Sequence, residues 1–135
     1  MTQTAPVTVL TRKNRTGLAL AAVLGLLDLT NLFDVPVESS DPDAAGPPQG
    51  IVIADGILGV ITLVAVWFAW RRADRTASRV VAGSRILSVI TSLPALFVSG
   101  VPAWVVALVA VSVIASVVVI ALVLSRPAPQ PGAAA

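Results

Sequence analysis

The chain has 135 residues, a net charge of +2, 56% hydrophobic residues and only 12% charged residues. The charged share is about half that of an ordinary soluble domain, which argues against a water-soluble fold for most of the chain. Cysteine and histidine are both absent, which excludes disulfides and thiolate sites and removes the commonest general base and metal ligand. The small net charge also gives no reason to expect a nucleic-acid partner.

Long apolar segments dominate the sequence. A bilayer core about 30 Å thick is crossed by a helix of about 20 mostly apolar residues. Four segments meet this requirement, so the sequence predicts an all-α, membrane-embedded antiparallel four-helix bundle. The third segment includes Arg85, whose long side chain is expected to extend to the lipid headgroups, and Pro94, which is expected to kink the helix. The predicted spans are 16–33, 51–70, 80–99 and 103–124.

Basic residues set the predicted orientation, because all nine fall on one side of these spans. The positive-inside rule then places both termini in the cytoplasm of a cell-membrane protein. On that side lie the tail 1–15, the basic loop 71–79 and a disordered tail 125–135, while the acidic loop 34–50 lies outside. The first segment also has features of a signal peptide, but an acid interrupts it and no cleavage site follows closely, so an uncleaved helix is expected. Five arginines are predicted to contact lipid headgroups: Arg71, Arg72, Arg75, Arg79 and Arg85.

Small residues recur on one face of each predicted helix, with a spacing that matches about 100° per residue. Such stripes let membrane helices pack closely, and we interpret them as packing surfaces. The predicted stripes are Gly17, Ala21, Gly25 and Asp28; Asp55, Gly59, Thr62, Val66 and Ala69; Ser84, Ser88, Thr91 and Ala95; and Ala103, Ala107, Ala110 and Ala121.

Asp28 and Asp55 are the two acids inside predicted spans. A carboxylate at bilayer depth costs roughly 3 kcal/mol or more, so both are expected to face the bundle interior. Their depths differ by about 6 Å at 1.5 Å of rise per residue, and Asn31 lies one turn outward of Asp28. The sequence therefore predicts one polar cluster of Asp28, Asn31 and Asp55. This cluster is either a structural anchor or a proton- or cation-binding site.

Two resemblances follow from composition and layout. Lys13 is the only lysine, alanine and valine dominate, and tyrosine is absent. In these respects the whole chain resembles small uncharacterised four-helix integral membrane proteins of actinobacteria, which implies no particular activity. In size and helix number it is also similar to small multidrug-resistance transporters, whose first helix carries an essential acid. Asp28 would take that place, but this chain has Asp where that family has Glu, lacks tyrosine and has a long acidic loop.

The sequence contains no residue set typical of an enzyme, a metal site or a cofactor site, so we expect no catalytic residues, no metal ligands and no cofactor. The favoured expectation is a structural or accessory membrane component, whose partners are the lipid bilayer and a membrane protein or a second copy of the chain. The alternative is a small proton- or cation-coupled transporter or channel that uses Asp28.

Overall fold

The computed structural model describes residues 9–33, 49–97 and 99–125. These residues form four α-helices, one short 3-10 helix and no strands, which confirms the all-α prediction for this part of the chain. Most of the predicted acidic loop 34–50 and most of the predicted terminal tails lie outside the described residues, and the last two residues of that loop begin α2. The helices are α1 (Arg12–Phe33), α2 (Gln49–Arg72), α3 (Arg75–Ser92) and α4 (Ala103–Val123), with the 3-10 helix at Leu93–Leu96.

The helix α1 begins four residues before the predicted span. Thr11 caps it, because its hydroxyl oxygen accepts a hydrogen bond from the Asn14 N–H at 3.3 Å. The Thr11 carbonyl also accepts the Arg15 N–H at 3.0 Å. The end of the predicted tail 1–15 is therefore helical.

The helix α3 also begins earlier than predicted. Asp74 is its N-cap and accepts a hydrogen bond from the Thr76 N–H at 2.8 Å. Only Ala73 and Asp74 separate α3 from α2, so most of the predicted basic loop 71–79 is helical. Ala73 has a positive φ of 49°, which lets the chain reverse within this short connection.

The far end of α3 differs from the predicted kinked span 80–99. The α-helix ends at Ser92, and Pro94 lies in the first turn of the 3-10 helix that follows. Proline has no N–H to donate and suits such a first turn, so the segment changes helix type there. The expected turn before α4 is present, and Gly100 adopts it with a φ of 98°, which glycine tolerates without strain.

The four helices surround a common interior. The helix α1 packs against α2 and α4, and α3 packs against the same two helices. In the described part of the chain α2 and α4 do not pack against each other, and α1 and α3 touch only slightly. The interior is filled by buried side chains from all four helices, among them Leu18, Ala21, Ala69, Val81 and Val119.

Glycines bring α1 and α2 close together. A methyl group built on Gly59 would lie 2.9 Å from the Gly25 carbonyl oxygen, and one on Gly56 would lie 2.9 Å from the Leu32 side chain. A methyl group on Gly25 would likewise lie 3.2 Å from Leu63. The backbones can approach this closely only because these positions carry no side chain.

The predicted small-residue stripes are confirmed for the described residues of the first three helices, but the stripe on α4 is wrong. Ala103, Ala107 and Ala121 are exposed. The buried face of α4 instead contains Ser116, Val119 and Val123. Because every face of α4 carries apolar or small side chains, hydrophobicity gives no clear signal for which face turns inward.

Three of the described helices are long and apolar enough to cross a membrane: Arg12–Phe33, Gly50–Arg72 and Ala103–Val123. This composition is consistent with a small membrane protein. The helix α3 is not among them, because it carries three arginines within 18 residues. A fourth span that includes α3 therefore stays a prediction.

Candidate functional site

The centre of the bundle contains a buried ion pair. The Arg85 Nη2 group donates a hydrogen bond to the Asp28 carboxylate and forms a salt bridge with it. The Arg85 side chain is 2% exposed and the Asp28 side chain is 15% exposed. The pair joins α1 to α3, the diagonal across which these helices otherwise scarcely touch.

Thr62 of α2 supports the same guanidinium group. Its Oγ1 atom accepts a hydrogen bond from Arg85 Nη2 at 3.2 Å and lies 2.8 Å from the Ser84 hydroxyl. The Thr62 hydroxyl also donates to the Leu58 carbonyl at 2.7 Å, which fixes its rotamer. Three helices therefore contribute to the surroundings of one buried charge.

Asp55 belongs to the same region but has a different partner. Its Oδ1 atom accepts a hydrogen bond from the Ser88 hydroxyl at 2.7 Å. Ser88 lies one turn along α3 from Arg85, so the two acids bind neighbouring positions of one helix. Asp55 is half-buried, and in the described residues no basic side chain forms a salt bridge with it.

A cavity of about 100 Å³ brings the polar groups together. Its lining includes Asp28, Asn31 and Asp55, the three residues predicted to form one cluster. Ser112 and Ser116 of α4 line it as well, and neither was predicted, because both lie within a long Val- and Ile-rich run. A space of this size is large enough to hold water.

One buried donor in this region has no acceptor in the described ranges of the chain. The Arg85 Nε–H is buried and has no hydrogen-bond partner among the described residues. Arg85 lines the cavity, and a buried donor commonly bonds to water when no protein acceptor is near. The polar lining and this donor make the cavity suitable for hydration.

The five arginines predicted to contact lipid headgroups fall into three groups, which are Arg71 with Arg72, Arg75 with Arg79, and Arg85 alone. The Arg71 and Arg72 guanidinium groups lie over the Trp67 and Phe68 rings, 4.7 Å and 5.5 Å from the ring centroids.

Arg75 and Arg79 are exposed at the start of α3. Arg85 was expected to extend to the headgroups, and that expectation is wrong, because its side chain is buried and paired with Asp28. A guanidinium with a carboxylate in reach inside the bundle does not need to extend to the interface.

No group of three or more acidic side chains in the described residues is placed to hold a metal ion. Comparison of the chain with known protein families, with characterised proteins and with solved structures gives no significant match.

Proposed function

We propose that the chain is a multi-pass cell-membrane protein, an antiparallel four-helix bundle with both termini in the cytoplasm. The order of helix contacts supports the antiparallel arrangement. Along α1, Gly25 lies beside Leu63 and Leu32 lies beside Gly56, so neighbours on α2 run in the opposite order. At the other interface of α1, Asn14 donates to the Val123 carbonyl at 3.4 Å, which places the start of α1 beside the end of α4.

The outer surface supports a lipid environment. Large apolar side chains are exposed along all four α-helices, as expected where lipid rather than water surrounds them. Exposed aromatic residues mark both ends: Trp67 and Trp70 lie at the basic end, and Phe33 and Trp104 lie at the other. The helix α3 enters this bundle although it is polar, because Asp28 neutralises Arg85 within it.

Within the membrane, we propose a structural or accessory component rather than a transporter. The observation that carries this proposal is the ion pair, because the Asp28 carboxylate already has a buried cationic partner. A guanidinium group does not lose its proton in proteins, so Arg85 keeps its charge and its hold on the carboxylate. An acid held in this way joins α1 to α3 and is poorly placed to exchange a proton with each transport cycle.

The topology is tested with reporter fusions at Gly46 and Gln130. A reporter that is active only outside the cytoplasm should be active at Gly46 and inactive at Gln130, since the positive-inside rule places them on opposite sides. Membrane fractionation of the untagged chain provides the matching control. Activity at both positions, or recovery of the chain in the soluble fraction, would contradict the proposal.

The structural role is tested by flux measurements in liposomes. The purified chain is reconstituted with an entrapped pH-sensitive dye, and a potassium gradient with valinomycin drives proton entry. Wild-type and Asp28→Asn liposomes should both leak at the rate of empty liposomes. Proton flux in the wild type that disappears in Asp28→Asn would overturn the structural role in favour of transport.

A proton- or cation-coupled transporter is the second candidate, and the cavity is the observation that favours it. Asp55 lines this cavity without a salt-bridge partner in the described residues, so it is the freer of the two acids. On this alternative, Asp55→Asn would abolish flux, and Asp28→Asn would abolish it mainly through loss of the fold.

A further inference from the structure

A second, larger pocket opens at the basic end of the bundle. Its volume is about 530 Å³, and it lies where the start of α1, the start of α3 and the end of α4 meet. Pockets of several hundred cubic ångströms are typical of small-ligand sites. Its lining includes arginines, neutral polar residues and leucines, among them Arg75, Arg79, Asn14, Ser125, Leu10 and Leu124.

The charge of this pocket favours an anion. Arg75 and Arg79 are one turn apart on α3, so their side chains extend from the same face. Neither guanidinium forms a salt bridge or a hydrogen bond with a described residue. The adjacent acid, Asp74, caps the helix by accepting the Thr76 N–H. The described lining of the pocket therefore contains two positive charges and no acid.

The polar groups of the pocket are held in place by contacts between helices. The Asn14 side chain donates to the Val123 carbonyl at 3.4 Å, and its Oδ1 atom accepts from the Ser125 hydroxyl at 3.3 Å. These bonds join α1 to α4 along one wall of the pocket. The site is thus built from three helices and is more than an exposed run of arginines.

The apolar part of the lining identifies the kind of anion. Leu10 and Leu124 belong to the same lining as the arginines, so the pocket offers apolar as well as cationic groups. A free inorganic anion gains nothing from the apolar groups, whereas a lipid places its phosphate against cations and its glycerol and upper acyl carbons against apolar groups. Trp67 and Trp70 are exposed near the end of α2, at the same basic end of the bundle, and tryptophan favours the headgroup level of a bilayer.

We propose that this pocket binds the phosphate headgroup of an anionic phospholipid, with Arg75 and Arg79 as the phosphate ligands. Planar guanidinium groups bind phosphate oxygens through paired hydrogen bonds. The site rests on the proposed function, because it requires that the bundle span the bilayer with this end at the cytoplasmic face. Arg71 and Arg72 are equally basic but lie over the rings of Trp67 and Phe68 and do not line the pocket.

The test is native mass spectrometry of the full chain in a mild detergent, with dihexanoyl phosphatidylglycerol as the probe. Dihexanoyl phosphatidylcholine has the same tails without net charge, and glycerol 3-phosphate has the phosphate without tails. The double variant Arg75→Gln/Arg79→Gln should weaken phosphatidylglycerol binding by about 10- to 30-fold, since each basic residue near an anionic surface contributes roughly fivefold. The matched control Arg71→Gln/Arg72→Gln removes the same charge from the same end and should change binding by less than about threefold.

Other results would overturn the site. Equal weakening by both double variants would mean a general attraction to basic residues and no defined pocket. Glycerol 3-phosphate that binds as tightly as phosphatidylglycerol would identify a soluble phosphate compound as the ligand and exclude the lipid. Membrane fractionation separates this failure from failure of the proposed function, because a chain recovered in membranes without selective binding contradicts only the site.

Discussion

Loss of Asp28 should destabilise the protein more than loss of its partner. The Asp28→Asn variant leaves the Arg85 guanidinium charged in a site where its side chain is 2% exposed. Removing one partner of a buried ion pair costs about 3–5 kcal/mol, and arginine cannot escape this cost by losing its proton. We therefore expect the free energy of unfolding of Asp28→Asn to fall by about 3–5 kcal/mol.

Substitution of the partner residue, Arg85→Met, should lower the free energy of unfolding by less. It leaves Asp28, which can bind a proton and become neutral, and whose side chain is 15% exposed. A buried polar group without a partner costs about 1–3 kcal/mol, which is the expected loss. The double variant Asp28→Asn/Arg85→Met removes both charges and should be more stable than Asp28→Asn alone, because replacement of a whole buried pair is often nearly neutral.

The assay is reversible unfolding by sodium dodecyl sulfate in mixed micelles, followed by the fluorescence of the three tryptophans. Asp55→Asn is the matched control, because it removes the same charge from a half-buried acid with one hydrogen bond, from Ser88. That control should lose about 1 kcal/mol. If the effects of Asp28→Asn and Arg85→Met simply add in the double variant, the two side chains do not interact and the reasoning fails.

Two further predictions concern the contacts around this pair and use the same unfolding assay. Gly59→Ala should destabilise by about 1–3 kcal/mol, because its methyl group would lie 2.9 Å from the Gly25 carbonyl oxygen and force α1 and α2 apart. Gly83 has open space around it, so Gly83→Ala should leave the free energy of unfolding unchanged or raise it by up to about 1 kcal/mol through helix propensity. Equal effects at Gly59 and Gly83 would contradict the close approach of α1 and α2. Thr62→Val should cost about 1–2 kcal/mol, because it removes an acceptor from the buried guanidinium. The control Thr30→Val removes an exposed hydroxyl that bonds only to its own helix, so it should change the free energy of unfolding by less than about 0.5 kcal/mol. If Thr30→Val destabilises the protein as much as Thr62→Val, the buried hydroxyl of Thr62 has no special role.

The helices themselves were predictable from the sequence, because a long apolar run has few stable alternatives to a helix. Their ends were less predictable. The early start of α3 depends on Asp74, whose capping role could have been read from an acid followed by helix-forming residues. The inward face of α4 could not be read, since Ser112 and Ser116 are small enough to suit either a lipid-facing or an interior position.

The pairing of Arg85 with Asp28 was missed for a physical reason. A single arginine in a span can either extend to the headgroups or pair with an acid, and hydropathy does not distinguish these outcomes. The choice depends on how α1 and α3 are rotated and placed within the bundle. One signal was available in the sequence: a charge inside a span needs a partner of opposite charge. Asp28, Asp55 and Arg85 are the three charged residues inside the predicted spans, so Arg85 had two acids with which it could pair.

The separation of the ion pair along the chain has a consequence for biosynthesis. Arg85 follows Asp28 by 57 residues, so α1 and α2 leave the ribosome before the cationic partner exists. A nascent chain that stops after α2 would hold Asp28 in the bilayer without its counter-charge. The arginine-rich α3 in turn requires a helix that already carries an acid. On the proposed topology, α1 and α3 therefore become stable in the membrane only once α3 has been translated and Arg85 can pair with Asp28.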